Sequence, residues 1–431
     1  MTATGTGVFN TKDVNSANQV TLNTVLLADG ANGGSASNYR LASGQSGAAS
    51  IARRPSVTWT GTGAGNGDWS NPANWENGAI PDLANVANVV IPAGKSATFN
   101  ANVATLNGAV QLDGISGLGG LTINSSVLKV ANALNIGSYL QSAGEVDAGS
   151  LGVTSSFNQA GGKLVVANLA DITQAGGISN LGTLTAANLV VRSGGGIRQA
   201  PGSALMVSDT TTLAAGGGDI TLGNAGNDFI GAVGASGTNV VLTDKNVLLV
   251  SRIDAARADL SAGSALQVVP NGGIVNAADI VLALLPGATN GVIGSASNYF
   301  QVQRNALVTL GPATPAVSAN FGALGGQSVH FVINNPVALT SYMQESADLF
   351  LNGIRVFTVM RPVAPAGNSP LAQILQDLQG RADGNAALIG RALLTDLSAS
   401  GPYPHGGLVK ARAPLCEVRR TSIQQDCPQR D

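Results

Sequence analysis

Over much of the chain one pattern recurs: three to five residues in which apolar and polar side chains alternate, followed by a turn of Gly, Asn, Ser or Thr. The segments LKVANALNIG, LVVANLADIT, LTAANLVVRSGGGI, LMVSDTTTLAAGGGDI and LQVVPNGGIVNAADIVL align with one another between Leu128 and Leu282. A second phrase, QSAG, QAGG, QAGG and QAPG, begins at Gln141, Gln159, Gln174 and Gln199, with gaps of 18, 15 and 25 residues. Alternation of period two marks strands, whereas a helix returns its apolar face every three to four residues. Short strands recurring about every 20 residues predict an all-β fold, a parallel β-solenoid taken as right-handed, because one coil cannot bury its inner face except against the next. Inward Val, Leu and Ile then stack in columns. Asn132, Asn168 and Asn188 are candidates for side-chain ladders at equivalent turns. With strands about 4.8 Å apart, the stretch 111–335 makes on the order of eleven coils and a rod of roughly 50 Å.

Composition narrows the function. Charged residues are 11% of the 431 and aromatics 4%, while Gly supplies 57 positions; an ordinary globular protein carries about 25% charge. The net charge of -2 leaves no electrostatic footprint for nucleic acid or an anionic membrane. An apolar fraction of 44% is ample for a core. The opening MTATGTGVFNTKDVNSANQV lacks a basic start followed by an apolar block, so an export signal is expected to lie outside this sequence. The most apolar piece, IVNAADIVLALLPGATNGVIG, is interrupted by Asp279 and Pro286 and falls short of a membrane span.

The texture divides the chain into a partial β module (1–54), a Trp-rich start of the solenoid (55–110), the solenoid (111–335), a β cap (336–366), amphipathic helices (367–400) and an anchor tail (401–431). The cap follows from the need to cover an open strand edge. The first helix is read from Ser369 as N-cap, Pro370 in the first turn, and Leu371, Ile374, Leu375 and Leu378 at helical spacing; the second runs over NAALIGRALLTDL. All three tryptophans, Trp59, Trp69 and Trp75, lie in WTGTGAGNGDWSNPANWENGAIP. Such a loop can be a ligand platform for sugars, or the indoles can plug a coil with each N–H on a carbonyl.

The only cysteines, Cys416 and Cys427, close the tail CEVRRTSIQQDC. Free thiols, a metal pair, a redox pair and one disulfide are all open to two cysteines. Redox chemistry wants C-x-x-C beside a helix start, which this spacing lacks, and a metal site with His405 still wants a fourth ligand. A disulfide leads among these readings, and in a terminal tail its use is as a bulky covalent loop more than as a source of stability.

Several motifs carry a resemblance. GVFNTKDV, NQVTLNTVLL, SNYRL and ASIARRP resemble the closing half of the small β modules, named for a Tyr-Asp-Gly signature, that repeat in filamentous-haemagglutinin-like bacterial exoproteins. The Tyr-Asp-Gly opening itself is absent, so the chain is expected to be a portion of a longer protein. The string W.NP.NW..G..P with VVIPAG, and the stretch 224–250, resemble passenger phrases of the same exoproteins. A C-terminal cysteine pair after a solenoid is similar to the anchor of two-partner-secretion adhesins of the high-molecular-weight type and of biofilm adhesins with a cysteine hook. The resemblance implies a non-enzymatic adhesin stalk at the cell surface of a Gram-negative bacterium, without cofactor or metal. It is tethered in its outer-membrane β-barrel transporter by a disulfide of Cys416 and Cys427, with Arg419 and Arg420 as contacts to the barrel. A host or matrix receptor or glycan, and further copies of the rod, are its implied partners.

Enzymes of the polysaccharide-active β-helix kind are the alternative, and they need paired carboxylates or bound calcium. Glu145 with Asp147 and Asp254 with Asp259 come nearest to pairs, and His330 and His405 stand without an evident partner. A carbohydrate-binding module centred on the three tryptophans is a further alternative. A toxin stalk would need a charged catalytic domain after the rod, and about 60 residues of helix and tail are too few.

Overall fold

The computed structural model describes residues 1–359 apart from 15, 43, 64–66, 101, 271–272, 287–291, 295–299, 303–305, 311–316, 320, 324–328, 334–338, 342–346 and 352–353, with side chains through residue 294. The fold is all-β: a parallel β-solenoid of about nine turns. Its helical content among the described residues is three single turns of 3-10 helix. The chain divides into two compact units, Met1–Gly152 and a second beginning at Val153. The predicted helices at 367–400 and the tail 401–431 lie outside the described residues.

The first unit opens with an antiparallel sheet of Thr2–Phe9, Gln19–Ala28 and Ser46–Ala48, with Gln19–Ala28 in the middle. The pairing then becomes parallel. Arg54–Thr58 lies on Val86–Val90, that strand on Gly114–Ser116, and that on Val127–Gln141. The register places Val57, Val89, Ile115 and Leu134 in one column, each with at most 1% of its surface exposed. A second column runs through Ala97, Leu121 and Tyr139, with Phe99 and Ile123 leading to Gln141 beside it. These are the inward positions of the period-two pattern, and burying each large aliphatic side chain is worth roughly 1.5–3 kcal/mol.

The second unit repeats one coil. Ile172, Val191, Leu213, Ala235, Ile253 and Val275 stack in register, all buried, at intervals of 19, 22, 22, 18 and 22 residues. On another side the column is Leu222, Leu242, Leu260 and Leu282. The period near 20 read from the sequence is therefore the length of a coil. Later coils are longer: Leu266 pairs with Ile293 and Ile280 with Val308, 27 and 28 residues on. These longer coils help to explain about nine turns in place of eleven.

At some corners the coils stack so closely that only glycine fits. A Cβ on Gly218 would lie 1.7 Å from the carbonyl oxygen of Gly195, and one on Gly195 would lie 2.1 Å from that of Gly177. The SGGG and AGGG phrases of the repeats are this contact. The last described strands, Ala347–Leu351 and Ile354–Val359, pair antiparallel after the parallel stack.

Candidate functional site: the aromatic plug and the polar corners

The tryptophan loop is built by short-range polar contacts. Asn71 caps the turn Pro72–Asn74, its Oδ1 accepting the N–H of Ala73 at 3.0 Å. Asn74 is buried; its Nδ2 donates to the carbonyl of Asp68 at 3.0 Å and its Oδ1 accepts the N–H of Gly63 at 2.8 Å. This folds the three indoles inward. Trp59 and Trp75 meet edge to face with centroids 4.7 Å apart, Trp69 and Trp75 likewise at 4.7 Å, and Trp69 meets Phe99 at 5.3 Å. The Nε1 of Trp69 donates to the carbonyl of Pro81 at 3.0 Å, and that of Trp75 to the carbonyl of Trp69 at 2.7 Å. At 0–2% exposure the rings turn their faces on one another and present none to a sugar, so Trp59, Trp69 and Trp75 pack as a plug, with the indole N–H on a carbonyl for Trp69 and Trp75 and without such a partner for Trp59. The W.NP.NW..G..P string is the wiring of this plug: Asn71 and Pro81 each supply one of the hydrogen bonds just described and Asn74 two.

The recurring glutamines hold corners. Gln141 and Gln159 are fully buried, a position a glutamine holds only when its amide is satisfied. Gln141 accepts the hydroxyl of Tyr139 at 3.0 Å and donates to the carbonyl of Gly144 at 3.2 Å; burial pushes the Tyr139 hydroxyl's pKa upward, so it stays a donor. In the second unit Gln159 donates to the carbonyl of Thr183 at 2.8 Å and accepts the N–H of Gly182 at 3.1 Å, bonding the next coil. Gln174 accepts the N–H of Phe157 at 2.7 Å and donates to the carbonyl of Gly176. Gln199 and Asn227 exchange amide hydrogen bonds at 2.6 and 2.9 Å.

Of the asparagines singled out as ladder candidates, Asn188 reaches the next coil, its Oδ1 accepting the N–H and hydroxyl of Thr210 at 3.2 and 2.7 Å. Asn168 falls in a register shift between Val166 and Leu169, which leaves Leu169 opposite Asn188. For Asn132 the contact across coils is its backbone N–H to the carbonyl of Asp113 at 2.9 Å. A direct amide pair forms elsewhere, between Asn158 and Asn180 at 3.2 Å, in register. Asp219 with Asn239 and Asp254 with Asn276 make the equivalent acid–amide contacts at 2.8 and 2.9 Å.

Three of the four carboxylates read as possible catalytic pairs have cations of their own. Asp147 lies 3.7 Å from Lys129, Asp254 2.5 Å from Arg252 and Asp259 2.9 Å from Arg257. Glu145 begins the strand Glu145–Gln159, its N–H donated to the carbonyl of Ser126 at 2.9 Å. His330 lies in the strand Val329–Ile333. Cys416, Cys427, Arg419, Arg420 and His405 fall outside the described residues. Among the described residues no group of three or more His, Cys, Asp or Glu is placed to hold a metal ion, and no helix is long and apolar enough to cross a membrane.

One acidic corner was not singled out from the sequence. Asp244, at the end of the strand Asn239–Asp244, has no exposed surface. Its Oδ2 accepts the backbone N–H of Phe229 at 2.6 Å and its Oδ1 that of Asn246 at 2.5 Å. Beside it Asp228, also buried, pairs with Lys245 Nζ at 2.8 Å and accepts the Asn246 Nδ2 at 3.2 Å. Burial pushes the Asp244 carboxyl up to about 6; its two backbone donors and Lys245 pull it down and the charge of Asp228 raises it. The signal available was a pair of short Asn/Asp turn phrases, GNDF and TDKN, one coil apart.

A family model described as repeats of unknown function (DUF5649) matches residues 167–236, the part of the chain that holds the Gly195–Gly218 contact and the Gln199–Asn227 corner. Neither the comparison with curated proteins nor that with solved structures returned a match.

Proposed function

We propose that the chain is the non-enzymatic stalk and anchor of a large secreted exoprotein, an adhesin of the two-partner-secretion kind at the surface of a Gram-negative cell. The observation that carries this reading is the coil-on-coil register of the solenoid, in which columns such as Ile172, Val191, Leu213, Ala235, Ile253 and Val275 extend the stack one strand spacing at a time. Such a stack turns chain length into distance, about 4.8 Å per coil, which is what holding a binding tip away from a membrane requires. Acids that a hydrolase would need in pairs are engaged with Lys129, Arg252 and Arg257, which fits a scaffold.

In this reading Cys416 and Cys427 form a disulfide loop that stays on the periplasmic side of a β-barrel transporter, with Arg419 and Arg420 against the barrel wall. The partners are that transporter, a host or matrix receptor or glycan, and neighbouring stalks in a biofilm. Support for the anchor comes from the sequence of the tail, with both cysteines of the chain twelve residues end to end. The test is thiol labelling and peptide mass mapping of the protein on intact cells, together with release of a Cys416→Ala variant. An oxidised pair and a variant shed into the medium are expected. Free thiols and a variant that stays on the cell would sink the tether.

A further inference from the structure

The corner formed by Asp228, Asp244 and Lys245 has a chemistry that a spacer does not require. Both oxygens of a fully buried carboxylate are committed to backbone N–H groups, one on Phe229 and one on Asn246. As an ionised acceptor Asp244 serves both donors strongly, whereas a carboxylic acid keeps one good acceptor, its carbonyl oxygen, and its hydroxyl oxygen is a much weaker partner that carries a proton needing an acceptor of its own. The two N–H groups flank Asp244 from different stretches of chain: Phe229 follows Asp228 in the strand Asp228–Phe229, and Asn246 belongs to the turn after Asp244. The Phe229 bond joins neighbouring coils and the Asn246 bond closes the turn, so a proton at this one position acts on a coil-to-coil bond or on the turn beside it.

We propose that this corner is a proton-operated clamp, in which uptake of one proton by Asp244 releases either the Phe229 or the Asn246 backbone N–H and loosens the coil at that point. The groups that face Asp244 fix its response. Asp228 contributes the like charge and Lys245 the opposite one; the position in register on the next coil is Ala262, which carries no charge, and the neighbouring Asn227 and Asn246 are neutral amides. With the carboxyl pushed up to about 6, the clamp loads between pH 7 and pH 5. This inference does not depend on the stalk reading.

The experiment uses the full chain with carbon-13-labelled aspartate carboxyls, followed by NMR from pH 4 to 8. In parallel, hydrogen exchange of peptides covering Phe229 and Asn246 is corrected for the intrinsic pH dependence of exchange. One carboxyl is expected to titrate near pH 6 and to vanish in Asp244→Asn, with protection of one of the two amides falling several-fold through the same range. Asp228→Asn should move that midpoint down and Lys245→Gln should move it up, and these two variants decide the matter even if Asp244→Asn does not fold. A resonance near the ordinary aspartate value, or protection at both amides that is independent of pH, would overturn the proposal.

Discussion

Between Trp59 and Phe99 the interior holds a cluster of aromatic rings in edge-to-face contact, three indoles from one loop and the phenyl at the end of the strand Ser96–Phe99. Between Leu164 and Leu282 it is made mainly of aliphatic columns whose members recur one coil away. The first arrangement is specific and local: Trp69 touches both Trp75 and Phe99, and its N–H and carbonyl are both used within the plug. The second is distributed, and the stability of such an array is close to a sum of coil and interface terms. The two regions should therefore fail differently when one residue is changed.

The largest effect is expected at the plug. Trp69→Ala removes a fully buried indole and leaves Pro81 and Phe99 without their partner, at a cost of about 3–5 kcal/mol. Denaturant unfolding followed by tryptophan fluorescence measures it directly, because the two remaining indoles sit in the same cluster. A trimmed column side chain gives the contrast: Ile172→Val should cost about 0.5–1.5 kcal/mol. Comparable losses from the two changes would remove the distinction between a specific plug and a distributed stack.

The next effect lies at a polar corner of the columns. Gln159→Leu keeps the volume but strands the Gly182 N–H and the Thr183 carbonyl inside the stack, and should cost about 1–3 kcal/mol. Thermal unfolding gives the loss, and faster hydrogen exchange at Gly182 places it. If the variant is as stable as the parent, the buried glutamines are fillers and not fasteners.

How far the sequence reveals such a corner can be followed at this glutamine. The phrase QAGG marks Gln159 as a repeated position, and the alternation of Leu, Val and Ile marks the inner face, because both signals are local and recur. That Gln159 is buried and serves Gly182 is not local information: its partner is 23 residues on, and the gaps between glutamines vary from 15 to 25. The same limit explains the asparagines. Asn168 and Asn188 occupy similar phrases, yet one register shift after Val166 takes them out of line, while Asn158 and Asn180 meet without sharing a phrase. Asp244 was hidden for a different reason. Burial and a neighbouring acid set its chemistry, and neither is visible in TDKN.

The smallest effect is expected on the outside of the coils. Arg192 and Asp171 bridge neighbouring strands at 2.6 Å, but their side chains keep 56% and 43% of their surface in water. An exposed pair of this kind gains little, because solvent and salt screen the attraction and two long side chains must be held still. Arg192→Ala should cost about 0–1 kcal/mol, with the difference fading as salt is raised. Removing the arginine buries no charge, since Asp171 stays hydrated, so a larger loss would mean that the coils are also fastened from outside. In that event the contrast drawn between plug and columns would have to include the surface, and the 11% of charged residues would be a structural ration and not a mere by-product of the Gly- and Asn-rich turns.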